Sequence, residues 1–364
     1  MSVETRPLLT LDDARRVGDL VYSTYGLTYH RGWLYEPGHL VELNRSGALT
    51  SMLAVDRSGP APRVVGHIAA IRPYFEMLEG DALERGPTVL EVGLSIVEPS
   101  SRSRNVQNIL SMALLMHGTR RFPGLRGSYM KCVTQHTRSQ RSARRFLGRA
   151  MAVHLGGVPA WVRCDRSDGP AGPLTTIAMH CSLGEHAERT SWVPAAEVSL
   201  ARKLFTAAGL PRRIVPVAGT KAALPDIPTR LAARFDPARR HGTVRVSAPG
   251  RDLVERVLEK TEWLVGGSMQ HVTVLLPLSS PAVAAVVPAL QEAGLFLAGF
   301  IPDLEGVDTI LLQILDVPRI DLSEIRIEGE EARMLVSEVF ARWRATRPDS
   351  VTDTAPSIEL PIAG

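Results

Sequence analysis

The sequence has little cysteine: three residues in 364, Cys132, Cys164 and Cys181. They are odd in number and lack metal-ligand spacing, which excludes a disulfide framework and fits a reducing compartment. Their expected role is that of small buried hydrophobes. No apolar run approaches the length of a membrane span, so no transmembrane helix is expected and membrane partners are excluded. Residues Met1 to Thr10 offer no apolar stretch that could act as a secretion signal, and a cytoplasmic location is the default expectation. The histidines are scattered, and no glycine-rich nucleotide fingerprint or Ser/His/Asp pattern is present. Neither a metal nor a permanently bound cofactor is expected. The most pointed absence is acid: between Glu98 and Asp165 there is not one Asp or Glu. The same interval carries twelve bases, among them Arg102, Arg104, Arg120, Arg121, Arg138, Arg141, Arg144 and Arg145, in a chain whose net charge is only +4. An anionic partner is one reading, and a basic surface that aids solubility is the other.

What is present is ordinary for a folded chain. With 45% apolar and 22% charged residues over 364 positions, there is material for two domains with ample cores. Helical spacing covers Leu11 to Tyr25, followed by an aromatic stretch (Tyr22, Tyr25, Tyr29, Trp33, Tyr35) and a second helix from Pro37. Strands are expected at 51–56, 64–71 and 88–97. A helix at 104–117, a strand at 128–134, a very basic helix at 139–147 and a strand pair at 150–158 and 174–181 come next. Residues 184–189 read as a polar connection, 193–208 as a helix and 211–242, rich in Pro and Arg, as a long connector. Strands and helices then alternate again: strand 243–247, helix 253–262, strand 272–276, helix 283–293, strands 295–301 and 309–315, helix 332–344. The expected class is α/β (α+β), with mixed, mostly antiparallel sheets flanked by helices. Both halves end on helix, Gly, strand, polar loop, strand, an echo that suggests a duplicated unit. The expected division is 1–183, a connector at 184–242, a second domain at 243–347 and a flexible tail at 348–364.

The segment that carries chemistry is Val97-Glu98-Pro99-Ser100-Ser101-Arg102-Ser103-Arg104-Asn105-Val106-Gln107, between a strand and a helix N-terminus. Backbone N–H groups and the helix dipole make such a junction a natural anion site. It resembles the GNAT superfamily of N-acyltransferases, whose signature V-x-P-x-x-(Q/R)-x-x-G-x-(G/A) wraps the coenzyme A pyrophosphate. Val97, Pro99 and Arg102 fit. Asn105 and Gln107 stand where glycine and a small residue are expected, and Ser103 where many members have glycine. Asn tolerates a left-handed backbone, so Asn105 is compatible with the loop. Tyr25-Gly26 with Tyr35, Val65-Gly66-His67, Glu91-Val92-Gly93, Val133-Thr134 with His136 and Ser139-Gln140, and Leu295–Phe300 with Leu312-Gln313 resemble bacterial GNAT modules with a degenerate second half that lacks the loop.

The resemblance implies roles. Val97, Arg102, Ser103, Arg104, Asn105, Val106 and Gln107 would bind the donor. Glu91 would be the general base, with His67 and His136 as further proton-transfer candidates, and a strand splay beside Glu91 to Leu94 would offer a backbone N–H to the carbonyl oxygen. Each also reads structurally, Glu91 as a strand carboxylate paired with an Arg and the histidines as satisfied core groups. Tyr25, Tyr29 and Trp33 would wall the acceptor, a small-molecule amine, or else simply pack the first helices. The usual tyrosine acid on the 139–147 helix is absent. Three donors fit: aminoacyl-tRNA, favoured by the acid-free basic interval and by some tandem GNAT-fold families, with Arg120, Arg121, Arg138, Arg141, Arg144 and Arg145 contacting the polyanion; acyl-CoA, the family default; and an acyl carrier protein. A role in bacterial specialised metabolism is an association only, and a non-catalytic nucleic-acid-binding protein is the competing class.

Overall fold

The computed structural model of the chain describes residues 3–29, 31–78, 85–161, 173–218, 223–317, 320 and 322–347. The expected tail at 348–364 and Cys164 lie outside the described residues. The chain divides by compactness into Met1–Ser128 with Ala160–Pro170, and Tyr129–Pro159 with Ala171–Gly364. This division differs from the expected 1–183 segment, because the strand pair at 150–182 packs with the strands C-terminal to it.

In the first unit a strand not expected from sequence, β1 (Val3–Pro7), opens the chain. It leads into α1 (Leu11–Tyr25), whose start is fixed by a capping box between Thr10 and Asp13. Arg6 grips Asp13 through both carboxylate oxygens, at 2.9 and 2.6 Å. The Arg6 hydrogen bond holds the Asp13 carboxyl far below the usual range. Gly32–Tyr35 forms one 3-10 turn and α2 (Pro37–Ser46) comes after it. Then come β2 (Leu49–Asp56), β3 (Arg63–Ile71) and β4 (Val89–Val97), and, after a further 3-10 turn at Pro99–Arg104, α3 (Val106–Arg121). Strand order is β1-β2-β3-β4, antiparallel throughout. One face carries Leu53, Val55, Ala69 and Ile71 under α1, Leu34 of the 3-10 turn and Leu40 of α2. The other carries Met52, Ile68, Ala70 and Leu90 under Val106, Leu110 and Leu114 of α3.

The second unit holds β5 (Gly127–Val133), α4 (Arg138–Arg145), β6 (Arg149–Val158) and β7 (Leu174–Ser182). A parallel ribbon of β8 (Arg189–Pro194) and β9 (Arg212–Val217) flanks α5 (Val198–Ala207). Beyond it lie β10 (Arg230–Asp236), β11 (His241–Ala248), α6 (Leu253–Gly266), β12 (His271–Pro277), α7 (Pro281–Glu292), β13 (Phe296–Leu304), β14 (Val307–Leu315) and α8 (Glu330–Ala345). The order β5-β7-β6-β13-β14-β12-β11-β10 turns the sequence echo into geometry. The triplet β5-β7-β6 is mirrored by β13-β14-β12, and the two meet at one pair, Gly299 opposite Ala152. Residues 189–194 and 211–242 depart from expectation, since they carry β8, β9 and β10. Their composition misleads because Arg212 is not solvated. Its guanidinium is fully buried and donates to Asp308 at 2.6 Å and to Asp303 at 3.0 Å. Arg189 joins Asp303 at 2.6 Å, and Ser191 donates to Asp308 at 2.5 Å. Removing one member of such a buried pair typically costs about 3–5 kcal/mol.

Two glycines test this architecture. Gly299 has φ +131°, and a Cβ there would lie 2.3 Å from the Met151 carbonyl oxygen and 2.5 Å from the Ala152 Cα. Gly299→Ala should therefore cost upwards of about 2 kcal/mol. Gly294→Ala, with φ +96° but open space around it, should cost about 1 kcal/mol. Urea titrations of the two variants compare them directly.

Burial pushes His180 and His271 down to about 3, helped by His186 and by Arg239 and Lys131 respectively, and holds His154 well below the ordinary value. The unfolded chain protonates these imidazoles near pH 6.5, whereas the folded chain stays neutral. Stability is thus unaffected by them above pH 6.5 and falls between pH 6.5 and 3, at about 1.4 kcal/mol per pH unit per histidine. Neither ring nitrogen of His180 has a partner. His180→Leu should flatten the fall of the urea midpoint between pH 7 and 5 by one histidine's share.

Candidate functional site: the β4 bulge and the α3 junction

Strand β4 changes phase midway. Leu90 and Val92 face α3, whereas Leu94 and Ile96 face α1 and α2, although all four have even numbers. The switch is a bulge. Against β3, His67 pairs with Ile96 but Ala69 pairs with Gly93, so Leu94 and Ser95 together oppose the single residue Ile68. Leu94 takes a left-handed backbone, φ 51°. His67 fastens it: Nδ1–H donates to the Leu94 carbonyl at 2.9 Å, from a fully buried ring whose pKa burial lowers to about 4. With Nδ1 donating, the neutral ring leaves Nε2, which has no partner. The family resemblance placed a strand splay beside Glu91 to Leu94, whereas the alternation Leu90-x-Val92-x-Leu94-x-Ile96 gave no sign of the bulge.

Beyond β4 the chain turns once in 3-10 form and enters α3 through Asn105, at φ 58° and ψ 18°. The left-handed corner that glycine would supply is thus made by asparagine. The turn braces itself: Ser101 N–H reaches the Glu98 carbonyl at 2.8 Å, Glu98 N–H reaches Val65 at 2.9 Å, and Arg102 Nε reaches the Val97 carbonyl at 3.2 Å. Ser101 Oγ, also missed in the sequence, is buried in the turn without a partner. Gln107 does not project into the turn. Its side chain accepts from Ser95 Oγ and reaches Ser111 Oγ at 3.4 Å, which ties the start of α3 to the bulge. Of the other expected donor residues, Val106 opens α3 and is wholly buried against the sheet, with Val97 packed beside that cluster. Arg104 is held by Asp56 at 2.7 Å. Hydrogen bonds from Ser58, then from Arg104, keep that carboxyl far below its usual range. The Ser103 side chain lies outside the described residues.

Glu91 is half-buried and sits opposite Ile71. Paired residues share a face, so Glu91 lies on the side of the sheet that carries Tyr25, Tyr29 and Trp33 against the α1–α2 core. The Tyr25 and Tyr29 rings are 4.7 Å apart, and Tyr35 donates to the Gly26 carbonyl at 2.8 Å. These aromatics pack the first helices and also border the face of Glu91. His136 belongs to the second unit, in the loop before α4, and its carbonyl accepts from Gln140 at 3.3 Å. Cys132 and Cys181 are buried free thiols, and burial raises Cys132 to about 12, as fits small core residues.

The acid-free interval is not acid-free in space. Gln140, fully buried, donates to the Arg326 carbonyl at 2.8 Å and accepts the Glu328 N–H at 2.8 Å. That bond holds α4 against the start of α8, where Arg141 meets Glu328 at 3.0 Å and Arg144 meets Glu331 at 2.8 Å. Two of the six expected polyanion contacts are therefore neutralised locally, which corrects the charge reading on which tRNA rested. Arg138 and Arg145 stay exposed on α4, and Arg120 and Arg121 on the last turn of α3.

The counterpart junction in the second half, β11 to α6, is filled by its own chain. A Cβ on Gly250 would lie 2.1 Å from the Ile227 carbonyl oxygen. Asp252 accepts the Thr229 N–H at 2.7 Å, and Gly250 N–H donates to Thr229 Oγ1 at 3.0 Å. A carboxylate and a backbone segment occupy the place where an anion would sit. Among the described residues no group of His, Cys, Asp and Glu is arranged to hold a metal.

Asn105 sets up a test of the corner. Asn105→Gly should leave stability within about 1 kcal/mol, whereas Asn105→Val should lower it by about 1–2 kcal/mol, because a β-branched residue resists the left-handed region. Chemical denaturation with α3 helicity as the signal reads both.

No family model matches the chain, and no curated protein matches it. Among solved structures, it is similar to NAA60 of Arabidopsis thaliana in complex with a bisubstrate analogue, at 16% identity over 50% of this chain and 100% of that one, TM-score 0.38. It is similar to an N-acetyltransferase of Staphylococcus aureus at 10% identity over 50% and 100%, TM-score 0.39. It is also similar to a GNAT-superfamily phosphinothricin acetyltransferase of Sinorhizobium meliloti in complex with acetyl-CoA, at 17% identity over 51% and 90%, TM-score 0.38.

Proposed function

We propose that the chain is an N-acyltransferase that takes its acyl group from a coenzyme A thioester and passes it to the amine of a small molecule. The observation that carries this reading is the bulge at Leu94, tied through Ser95 and Gln107 to a left-handed entry into α3. A bulge leaves backbone polar groups outside the ladder, and one N–H released from β4 suits the oxygen of a thioester carbonyl. One turn away, the start of a 16-residue helix favours the pyrophosphate. Glu91, on the aromatic face, removes a proton from the acceptor ammonium. The free amine attacks the carbonyl carbon, the carbonyl electron pair moves to oxygen, and its return expels the coenzyme A thiolate, which takes the proton that the attacking nitrogen gives up and leaves as the thiol. Amide and free coenzyme A are the products.

Coenzyme A is preferred to aminoacyl-tRNA because Arg104, Arg141 and Arg144 are engaged by carboxylates of this chain. That leaves fewer cations for a polyanion, and a single loop serves a ligand as small as coenzyme A. The filled β11–α6 junction favours one donor site per chain.

The test is to titrate the full-length protein with acetyl-CoA and, separately, with bulk charged tRNA at two salt concentrations. Saturable acetyl-CoA binding with little salt dependence is expected. Glu91→Gln should keep that affinity within about twofold while slowing acetyl-CoA-dependent acylation of an amine panel by about 100-fold or more. Absent acetyl-CoA binding, with tRNA binding that weakens steeply in salt, would replace this donor with aminoacyl-tRNA. If Glu91→Gln changes neither binding nor turnover, Glu91 is not the base.

A further inference from the structure

The far end of α3 carries a concavity that the acyl-transfer reading does not use. It has a volume of about 640 Å³, within the range of small-molecule sites. Arg45 from α2 and His117, Arg120 and Arg121 from α3 line it, and no Asp or Glu does. None of the three arginines has a carboxylate partner among the described residues. Arg121 makes long contacts, 3.4 Å to Thr50 Oγ1 and 3.4 Å to the Asn44 carbonyl near the end of α2. No side-chain hydrogen bond engages Arg45 or Arg120 among the described residues. The floor is already satisfied: Ser51 N–H donates to Asn44 Oδ1 at 2.7 Å, and Leu8 N–H to the Ser51 carbonyl at 3.1 Å. The remaining wall is apolar, with Leu8, Val41 and an exposed Leu9 at its mouth. His117 is held below its ordinary pKa by burial and by the positive charge of Arg121 and Arg120, which marks an uncompensated positive field.

The geometry points to a binding site for a small amphiphilic anion, with one anionic headgroup held by Arg45, Arg120 and Arg121 and a short apolar body against Leu8, Leu9 and Val41. Guanidinium groups without carboxylates engage such a headgroup by charge-assisted, bidentate hydrogen bonds. The apolar wall distinguishes this ligand from a bare phosphate and from a nucleic-acid backbone. At 1.5 Å per residue, Arg120 lies about 20 Å along α3 from the β4 junction, so the site is separate from the proposed transfer chemistry. A ligand here would bridge α2, β2 and the end of α3.

The test uses full-length protein titrated with octanoate, octylamine and inorganic phosphate, by calorimetry and by the NMR signals of His117. Octanoate should bind saturably at one site and shift His117, octylamine should not bind, and phosphate should bind at least tenfold more weakly. Arg45→Ser and Arg120→Ser each remove an exposed side chain with no bond to lose, and each should weaken octanoate at least tenfold. The acetyl-CoA affinity of Arg45→Ser should equal that of the unaltered protein, so this proposal and the transferase reading fail independently. Octanoate affinity unchanged in both variants, equal binding of octylamine, or phosphate binding as tight as octanoate would each overturn it.

Discussion

A strand alternates its faces with a period of two, and β4 breaks that period at Leu94. The acyl-transfer reading of the first unit depends on this one slip. Without it, Leu94 and Ile96 would join Leu90 and Val92 against α3, and the α1–α2 core would lose two of its apolar contributors. With it, a single strand serves both cores and must leave part of its backbone outside the ladder. His67 satisfies one of those freed groups by donating to the Leu94 carbonyl. Its neutrality comes from burial, so the bond persists across the physiological range. A histidine that the sequence offers as a proton carrier is thus placed to hold a backbone conformation. The carboxylate of Glu91 stands three residues earlier on the same strand, on the face it shares with Ile71.

The second half shows what becomes of the same junction when its anion site is not kept. The element order survives, because β12-β14-β13 and α7 are needed to bury one another. The entry to α6 is instead closed by residues 227–229, whose Thr229 N–H donates to the Asp252 carboxylate. A carboxylate at a helix N-terminus satisfies the dipole from within the chain, so no ligand is required there. The half then contributes through packing. The Arg212–Asp303–Asp308 cluster pins the β8–β9 ribbon to the β13–β14 hairpin, and Gly299 lets β13 approach β6 more closely than any side chain would allow.

Much of the architecture was legible in the sequence because it arises from periodicity and punctuation. The Thr10–Asp13 start of α1, the helix opened by Pro37, the strands at β2, β3, β4, β6, β7, β12, β13 and β14, and the duplicated ending all come from local patterns. Three features did not, each for its own physical reason. β1 is five residues of mixed polarity whose pairing with β2 is non-local. β8 and β9 look like connector because their arginines are neutralised by aspartates about a hundred residues away. The bulge leaves no trace in the alternation of β4, and only the family resemblance pointed to a splay there. At the site, the tolerance of Asn105 for a left-handed corner was readable from its chemistry. The inward turn of Gln107 was not, since it depends on Ser95 being shifted by the bulge.

Charge shows the same limit most clearly. The interval from Glu98 to Asp165 is basic as a string, yet folding sends its members to different fates. Arg104 goes to Asp56, and Arg141 and Arg144 go to glutamates nearly two hundred residues away. Arg120 and Arg121 come together instead with Arg45, from outside the interval, around an acid-free hollow. A run of like charge therefore carries no information about a polyanion until its partners are known. What selects a ligand is the set of cations left uncompensated after folding and the shape of the surface that holds them. Around the Arg45–Arg120–Arg121 hollow that set is concave and partly apolar, which suits one headgroup on a short apolar body.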